Sequence, residues 1–402
     1  MSSHEEVSRG WERLATLLIR AGRDENLPAE GKFVNPPVTR GSTVLFPDLA
    51  SLNAQGMKRY DHEAIYGAMG TPVQHVLERA VALVEGGEDT QIVSSGLSAC
   101  TTALLTFTAS GGHVLIPDSA YGPTRRFTDT MLRRFGVETT YYPPCVSVAE
   151  MERLIRPETQ VIFAESPGSH TFEIQDIPAL SDLAHRHGAL LILDNTWGFG
   201  IFEPFRHGVD VSVQALTKYA AGHSDAIIGA LTVADKTLWK RLRDAAIQLG
   251  QLAGPDECWL TLRGLRTMSV RLARQSCSAL DVARWLADRP EVERVLHPAL
   301  PDFPGYELWK RDFNGAGPLF SVVLKERYSR KSMENMLDSL HLFGIGASWG
   351  GFESLVLPTT GSVSRTATEA PVQATFRLNI GLESVRDLCG DLEQGFSALN
   401  GS

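Results

Sequence analysis

At 402 residues the chain is longer than one hydrophobic core usually serves, so two domains are expected. Its 43% hydrophobic and 21% charged residues exclude a disordered or fibrous chain, and a net charge of −9 argues against a nucleic-acid binder. No run approaches the roughly 18 apolar residues that cross a bilayer, so no membrane association is expected. The N-terminus opens on acidic residues and lacks a cleavage site after an apolar core, so a cytoplasmic location is expected. Cys100, Cys145, Cys258, Cys277 and Cys389 are scattered and odd in number, without CxxC spacing. Neither a disulfide framework nor a metal site is expected.

Residues 1–65 read as one short helix and then an irregular arm punctuated by Pro28, Pro36, Pro37, Gly41 and Pro47. An arm of that length is expected either to be disordered or to pack against something, a neighbouring subunit being the natural candidate. From Thr71 the spacing of Val73, Val76, Leu77, Ala80, Val81 and Val84 predicts a helix that Gly86-Gly87 closes. Short apolar runs then alternate with helical stretches: 113–117, 161–165 and 190–194. Strands buried on both faces look like this, and the alternation predicts an α/β fold with a mostly parallel sheet. The rhythm changes near residue 260. One long helix is expected over 261–288, then a smaller C-terminal α/β domain with strands at 319–324 and 376–380 and a helix at 332–343. The expected divisions are an arm at 1–65, a larger α/β domain at 66–260 and a C-terminal domain at 261–402.

Ligands of such sheets bind beyond the carboxyl ends of the strands, so polar residues following the runs are the candidates. Asp194 ends LLILDNTW, where a carboxylate can keep a pyridinium nitrogen protonated and make a bound ring an electron sink. Lys218 follows another apolar run and can carry an aldehyde cofactor as a Schiff base. Gly96 opens a helix after a strand, where free N–H groups suit a phosphate. Tyr121, after the run at 114–116, can stack on a ring. Each has a plainer reading alone: a cap carboxylate, a surface lysine, a common Gly-Ser turn, a loop aromatic. Four in order after successive strands are hard to assign to chance.

They also complete a resemblance. AESPGS (164–169), LDNTW (193–197), TKYAAGHSDAIIG (217–229), RGLRTMSVRL (263–272), HPALP (297–301), WKRDF (309–313) and SWGGFESL (348–355) resemble the Cys/Met-metabolism family of pyridoxal-5′-phosphate (PLP) enzymes. Within it the likeness is strongest to the bacterial cystathionine β-lyase branch, from about residue 30 onward. The resemblance implies the fold-type I architecture of PLP-dependent transferases and a homodimer or homotetramer with shared active sites. It implies that Lys218 carries PLP and moves protons, that Asp194 pairs with the ring nitrogen and that Tyr121 stacks on the ring. It further implies that Gly96, Leu97 and Thr217 hold the phosphate with Tyr66 of a neighbouring subunit, and that Arg377, Ser348 and Trp349 take the α-carboxylate of an amino-acid substrate.

The departures from the lyase pattern fall on the distal substrate pocket. Ala68 and Met69 stand where the branch has two arginines, Arg126 where it has an acidic residue, and Ile247 near an expected tyrosine. Ala215 replaces a serine before the cofactor lysine. These changes make Arg126 a candidate substrate residue and cystathionine an expected poor substrate. Three readings follow: a housekeeping β-lyase; a β- or γ-elimination or replacement enzyme using another substrate, such as S-adenosylmethionine or an O-acylated amino acid with an anionic cosubstrate; and a non-catalytic binding protein on the same fold.

Overall fold

A computed structural model describes residues 3–23 and 33–400; Pro28 of the expected arm lies outside them. The larger sheet has seven strands: β1 (Asp89–Val93), β2 (His113–Pro117), β3 (Glu138–Tyr142), β4 (Thr159–Glu165), β5 (Leu190–Asp194), β6 (Val211–Gln214) and β7 (Gly229–Val233). Their order is β1-β7-β6-β5-β4-β2-β3. β7 runs against both its neighbours, and the other pairings are parallel. The continuous apolar runs are explained by two buried faces. Leu115, Ile162, Leu191 and Leu193 join the core on one side, while Val114, Val161, Phe163 and Ile192 join the core on the other.

The helix expected from Thr71 spans Pro72–Glu85. Thr71 and Gln74 form a capping box, Pro72 occupies the first turn, and Gly86 closes the helix at φ +76°. The first helix is longer than expected, Ser3–Arg20, and lies on its own chain. Trp11 is fully buried there, and its indole N–H donates to Ser276 Oγ (3.1 Å) and to the Ala316 carbonyl (3.0 Å).

The smaller sheet contains β8 (Val292–Leu296), β9 (Leu319–Leu324), β10 (Gly344–Ile345), β11 (Leu355–Pro358) and β12 (Thr375–Asn379), ordered β10-β11-β12-β9-β8. The long helix is continuous over Pro255–Ala287, so no break falls at 260. Its N-terminal part (Leu262, Leu265, Met268) belongs to the large-sheet core, and its C-terminal part (Val282, Ala283, Leu286) to the small-sheet core. Between β8 and β9, Trp309 and Phe313 also pack into the large-sheet core. The helix expected at 332–343 runs Arg330–Asp338. It starts early because Ser329 caps it, and the amides of His341, Leu342 and Phe343 are taken by the Asp391 carboxylate instead of continuing the spiral.

A strap of 16 residues, 359–374, joins β11 to β12 and is tied to the large domain. Asp118 accepts from the backbone N–H groups of Thr366, Ala367 and Thr368, each at 2.8 Å, and pairs with buried Arg125 at 2.8 Å. Arg365 pairs with Glu173 at 2.7 Å.

Candidate active site

The carboxyl ends of the parallel strands deliver the sequence candidates to one edge. β1 leads into Ser95, whose hydroxyl caps the helix Gly96–Phe107 by accepting from Ser98 N–H (3.1 Å). The N–H groups of Gly96 and Leu97, in the first turn, have no acceptor within the helix. A Cβ on Gly96 would lie 2.5 Å from Ala215 Cβ, so only glycine lets this helix end approach the lysine loop so closely. β2 leads to Tyr121, β4 ends on Glu165, β5 on Asp194, and β6 leads through Ala215 and Thr217 to Lys218. Ser348 and Trp349 enter from the loop before β11, and Arg377 from β12. Gly96, Leu97, Tyr121, Asp194, Thr217, Lys218, Ser348, Trp349 and Arg377 all line a single cavity of ≈ 970 Å³.

Asp194 has one saturated oxygen and one open one. Thr196 donates twice to Oδ1, from its backbone N–H (3.1 Å) and its hydroxyl (2.6 Å). Among the described residues Oδ2 meets only the Cys100 thiol, a weak donor at 3.6 Å. Burial pushes the carboxyl pKa up, against the hydrogen bonds from Thr196. A cationic ring N–H at Oδ2 would supply the missing strong donor. Lys218 Nζ donates to Ser348 Oγ at 2.7 Å and sits 5.4 Å from the centre of the Trp349 ring. Burial, helped by repulsion from Arg377 and opposed by Asp194, lowers its pKa to about 8. The amine is therefore more readily deprotonated near neutral pH than an ordinary lysine.

Arg377 is buried, and one of its terminal nitrogens donates to the Ser348 carbonyl at 3.0 Å. Burial holds its pKa down at about 10, so the guanidinium remains a cation facing the cavity. The Thr217 hydroxyl donates to the Ile228 carbonyl (3.1 Å) and accepts from Ile228 N–H (2.9 Å). It therefore braces the lysine loop and must turn away from Ile228 to donate to a phosphate.

Several residues that sequence reasoning missed complete the site. Glu165, beside Asp194 in strand register, accepts from Tyr121 N–H at 2.6 Å and fixes where that ring starts. Burial and the Asp194 charge push its pKa well up, which favours the neutral acid. Among the described residues five non-glycines have positive φ, and His170, Phe172, Ser224 and Ser348 of these line this cavity. Such strain concentrates at ligand sites. His170 Nδ1 is buried without a hydrogen-bond partner among the described residues, and burial with the nearby Arg377 charge lowers its pKa to about 4. The motif RGLRTMSVRL has a backbone explanation: a Cβ on Gly264 would collide with the carbonyls of Ala220 and Ala221, and Arg271 donates to the Tyr219 carbonyl at 2.9 Å. Both press the long helix against the Lys218 loop.

Two candidates lie apart from the cavity within one chain. Tyr66 is half-exposed, and Arg126 is exposed on the short helix Gly122–Phe127; neither lines the cavity. Its neighbour Arg125 is the buried one, stacked 3.8 Å over the Tyr141 ring.

The segment before Tyr66 is pinned by His62, whose Nδ1 meets Glu78 (2.9 Å) and Nε2 meets Asp89 (2.8 Å). His62, His75 and Glu78 are close enough to hold a metal. Both His62 nitrogens are already committed to carboxylates, however, which makes the ring a paired imidazolium. Burial alone would lower its pKa, but the Asp89 and Glu78 hydrogen bonds outweigh it and hold the value at about 9. A folded value above the ordinary 6.5 means the pairing contributes fully below pH 6.5 and is lost as the pH rises to 9. Between those limits, denaturant unfolding of the wild type should lose about 2–3 kcal/mol that His62→Gln does not lose. A wild-type-to-variant difference that stays constant with pH would reject the pairing.

The cavity meets the needs of PLP one by one: an open carboxylate oxygen for the ring nitrogen, a lysine amine, first-turn N–H groups for a phosphate and an aromatic ring at the rim. The sequence profile described as Cys/Met metabolism PLP-dependent enzyme matches residues 15–397. A putative cystathionine β-lyase of Rhizobium johnstonii is 49% identical over 95% of this chain and 98% of its own length. The cystathionine β-lyase MetC of Escherichia coli is 39% identical over 96% and 99%. The crystal structure of metB from Corynebacterium glutamicum superposes with a TM-score of 0.88 at 29% identity, over 96% of this chain and 98% of that one. The chain belongs to the Cys/Met metabolism family of PLP-dependent enzymes, with the fold-type I architecture, pyridoxal 5′-phosphate as its cofactor and elimination or replacement on amino acids as its chemistry.

Proposed function

We propose that this enzyme is a β-lyase that opens the Cβ–S bond of cystathionine-like thioether amino acids, releasing a thiol, pyruvate and ammonia with uptake of water. The convergence of Lys218, Asp194 and Arg377 on one cavity carries the reading. Bound PLP supplies an electrophilic carbonyl for the substrate amine and a sink for electrons released at Cα. The chain's own residues do the rest. Arg377 grips the α-carboxylate with its planar fork, beside Ser348 and Trp349. Lys218, its pKa lowered to about 8, takes the Cα proton and returns one to the departing sulfur. Asp194 Oδ2 keeps the ring nitrogen protonated. Gly96 and Leu97 N–H groups receive the phosphate, and Tyr121 covers the ring.

The site is completed by a second copy of the chain. Phe33, Leu45 and Leu49 are 91%, 90% and 75% exposed, an apolar stretch too bare for a lone subunit. The same stretch is tied back to its own chain by Trp259 Nε1 on the Pro36 carbonyl (3.1 Å) and by the Arg40–Asp256 pair (2.6 Å). Across that contact Tyr66 reaches the neighbour's phosphate.

The expectation of an anionic cosubstrate rested on Arg126 as a wall of the pocket. Exposed and outside the cavity lining, Arg126 gives that reading no support within one chain, and the lyase reading is preferred. With L-cystathionine, pyruvate release should proceed at kcat/KM of about 10⁴ M⁻¹s⁻¹ or more. Slow cleavage of cystathionine beside rapid turnover of S-adenosylmethionine or an O-acylated amino acid would transfer the assignment to γ chemistry.

A further inference from the structure

A second cavity, ≈ 350 Å³, lies in the seam between the two domains and shares no lining residue with the first. Val146 and Ile174 form its large-domain side; Leu296, Phe303, Leu308 and Val323 form much of the other. The strap closes it, with Thr359, Thr360 and Val363 in its lining. The two cavities stand back to back across one strand of chain. His170 and Phe172 face the active site, whereas Thr171, Glu173 and Ile174 face the seam.

The charge at this seam is asymmetric. Three formally charged residues line it: Glu173, Asp176 and Arg294. Glu173 already holds Arg365 at 2.7 Å, and Asp176 holds Arg311 at 2.8 Å. Arg294 is exposed on β8, and its side chain has no hydrogen bond or ion pair among the described residues. Both carboxylates already hold an arginine, although Arg311 is shared with Asp312 at 2.7 Å and Glu173 Oε2 has no hydrogen-bond partner among the described residues, whereas a carboxylate would find the whole guanidinium fork of Arg294 at the edge of an apolar chamber. The volume lies at the small end of ligand pockets, room for a compact molecule and not for a peptide.

We propose that the seam cavity binds a small carboxylic acid with a branched or aromatic body, and that occupancy is transmitted to the active site. The carboxylate pairs with Arg294 and the body fills the space between Ile174 and Leu308. Such an occupant touches both domains and the strap, and stiffens the strand of chain that carries His170. This inference does not depend on which substrate the active site cleaves.

Cys145 also lines the cavity and is the one exposed cysteine among the described residues, which makes it a reporter. In the holoenzyme, 4-phenylbutyrate should protect Cys145 from iodoacetamide in a saturable way, read by peptide mass spectrometry. Arg294→Ala should weaken that protection about tenfold or more, in line with loss of a charged hydrogen bond. 4-Phenylbutylamine should give no protection. Leu308→Trp, which fills the chamber, should abolish binding of the acid while leaving Arg294 in place. Protection that is absent, or equally strong in Arg294→Ala, would overturn the site. Saturable protection with no change in kcat or KM of the same preparation would overturn its coupling to the active site.

Discussion

Lys218→Ala is expected to reduce turnover by at least about 10⁴-fold, because one amine both receives the cofactor and moves the protons. The loss should be chemical and not structural. Among the described residues the side chain makes a single hydrogen bond, to Ser348, and the loop around it is held independently by Thr217 on Ile228 and by Arg271 on Tyr219. Borohydride reduction of the wild-type holoenzyme should attach the cofactor to the peptide containing Lys218, and labelling of another lysine would defeat the assignment. The shared-site proposal is tested with the same variant. Mixed with Tyr66→Ala after joint refolding, Lys218→Ala should regain activity, since a hybrid dimer holds one site with both residues intact. Mixtures no more active than their parts would remove Tyr66 from the neighbour's site.

Asp194→Asn is expected to cost about 10²–10⁴-fold in kcat while the folded protein becomes no less stable. The amide keeps the Thr196 hydrogen bonds on its oxygen but offers the ring nitrogen no anion, so the proton that makes the ring an electron sink is lost. The stability effect has the opposite sign. Burial raises the Asp194 pKa, so keeping this group ionised at neutral pH works against folding of the cofactor-free protein. A neutral isostere relieves that cost, as expected where function is held against stability. Chemical denaturation of the two apoproteins at pH 7 measures one effect and steady-state pyruvate release the other. A folded Asp194→Asn enzyme with near wild-type turnover would reject the role.

The legible parts of the sequence were those where one residue type answers to one local demand. LLILDNTW spells a strand buried on both faces, and the change from aliphatic to Asp194 marks where it meets a ligand edge. Gly86 announces the end of a helix because only a left-handed residue can close it. Glu165 was equally regular in position, yet its role depends on its neighbour Asp194 in the next strand and on the Tyr121 amide, neither of them visible locally. The positive φ of Ser348 and His170 left no trace either, since nothing in serine or histidine advertises it. Arg126 was a candidate only through the resemblance, standing where the lyase branch has an acidic residue five positions after Tyr121; a step of one residue along a helix exchanges inside for outside, and Arg125 took the buried place beside Asp118. The long helix was found, but not that it began at Pro255, because Gly254 caps it without a polar side-chain signal.

That helix serves two hydrophobic cores, and the chain cannot be divided where its composition changes. A cut at residue 260 would leave Leu262, Leu265 and Met268 on the wrong fragment and strip the cofactor half of the element pressed against its lysine loop. The same continuity governs how the molecule comes apart. Each sheet packs on its own stretch of one continuous helix, so unfolding of that helix withdraws packing from both sheets. Recombination between relatives should therefore tolerate a crossover inside β8 or the strap far better than one at the apparent compositional boundary, because only the latter splits an element that both cores share.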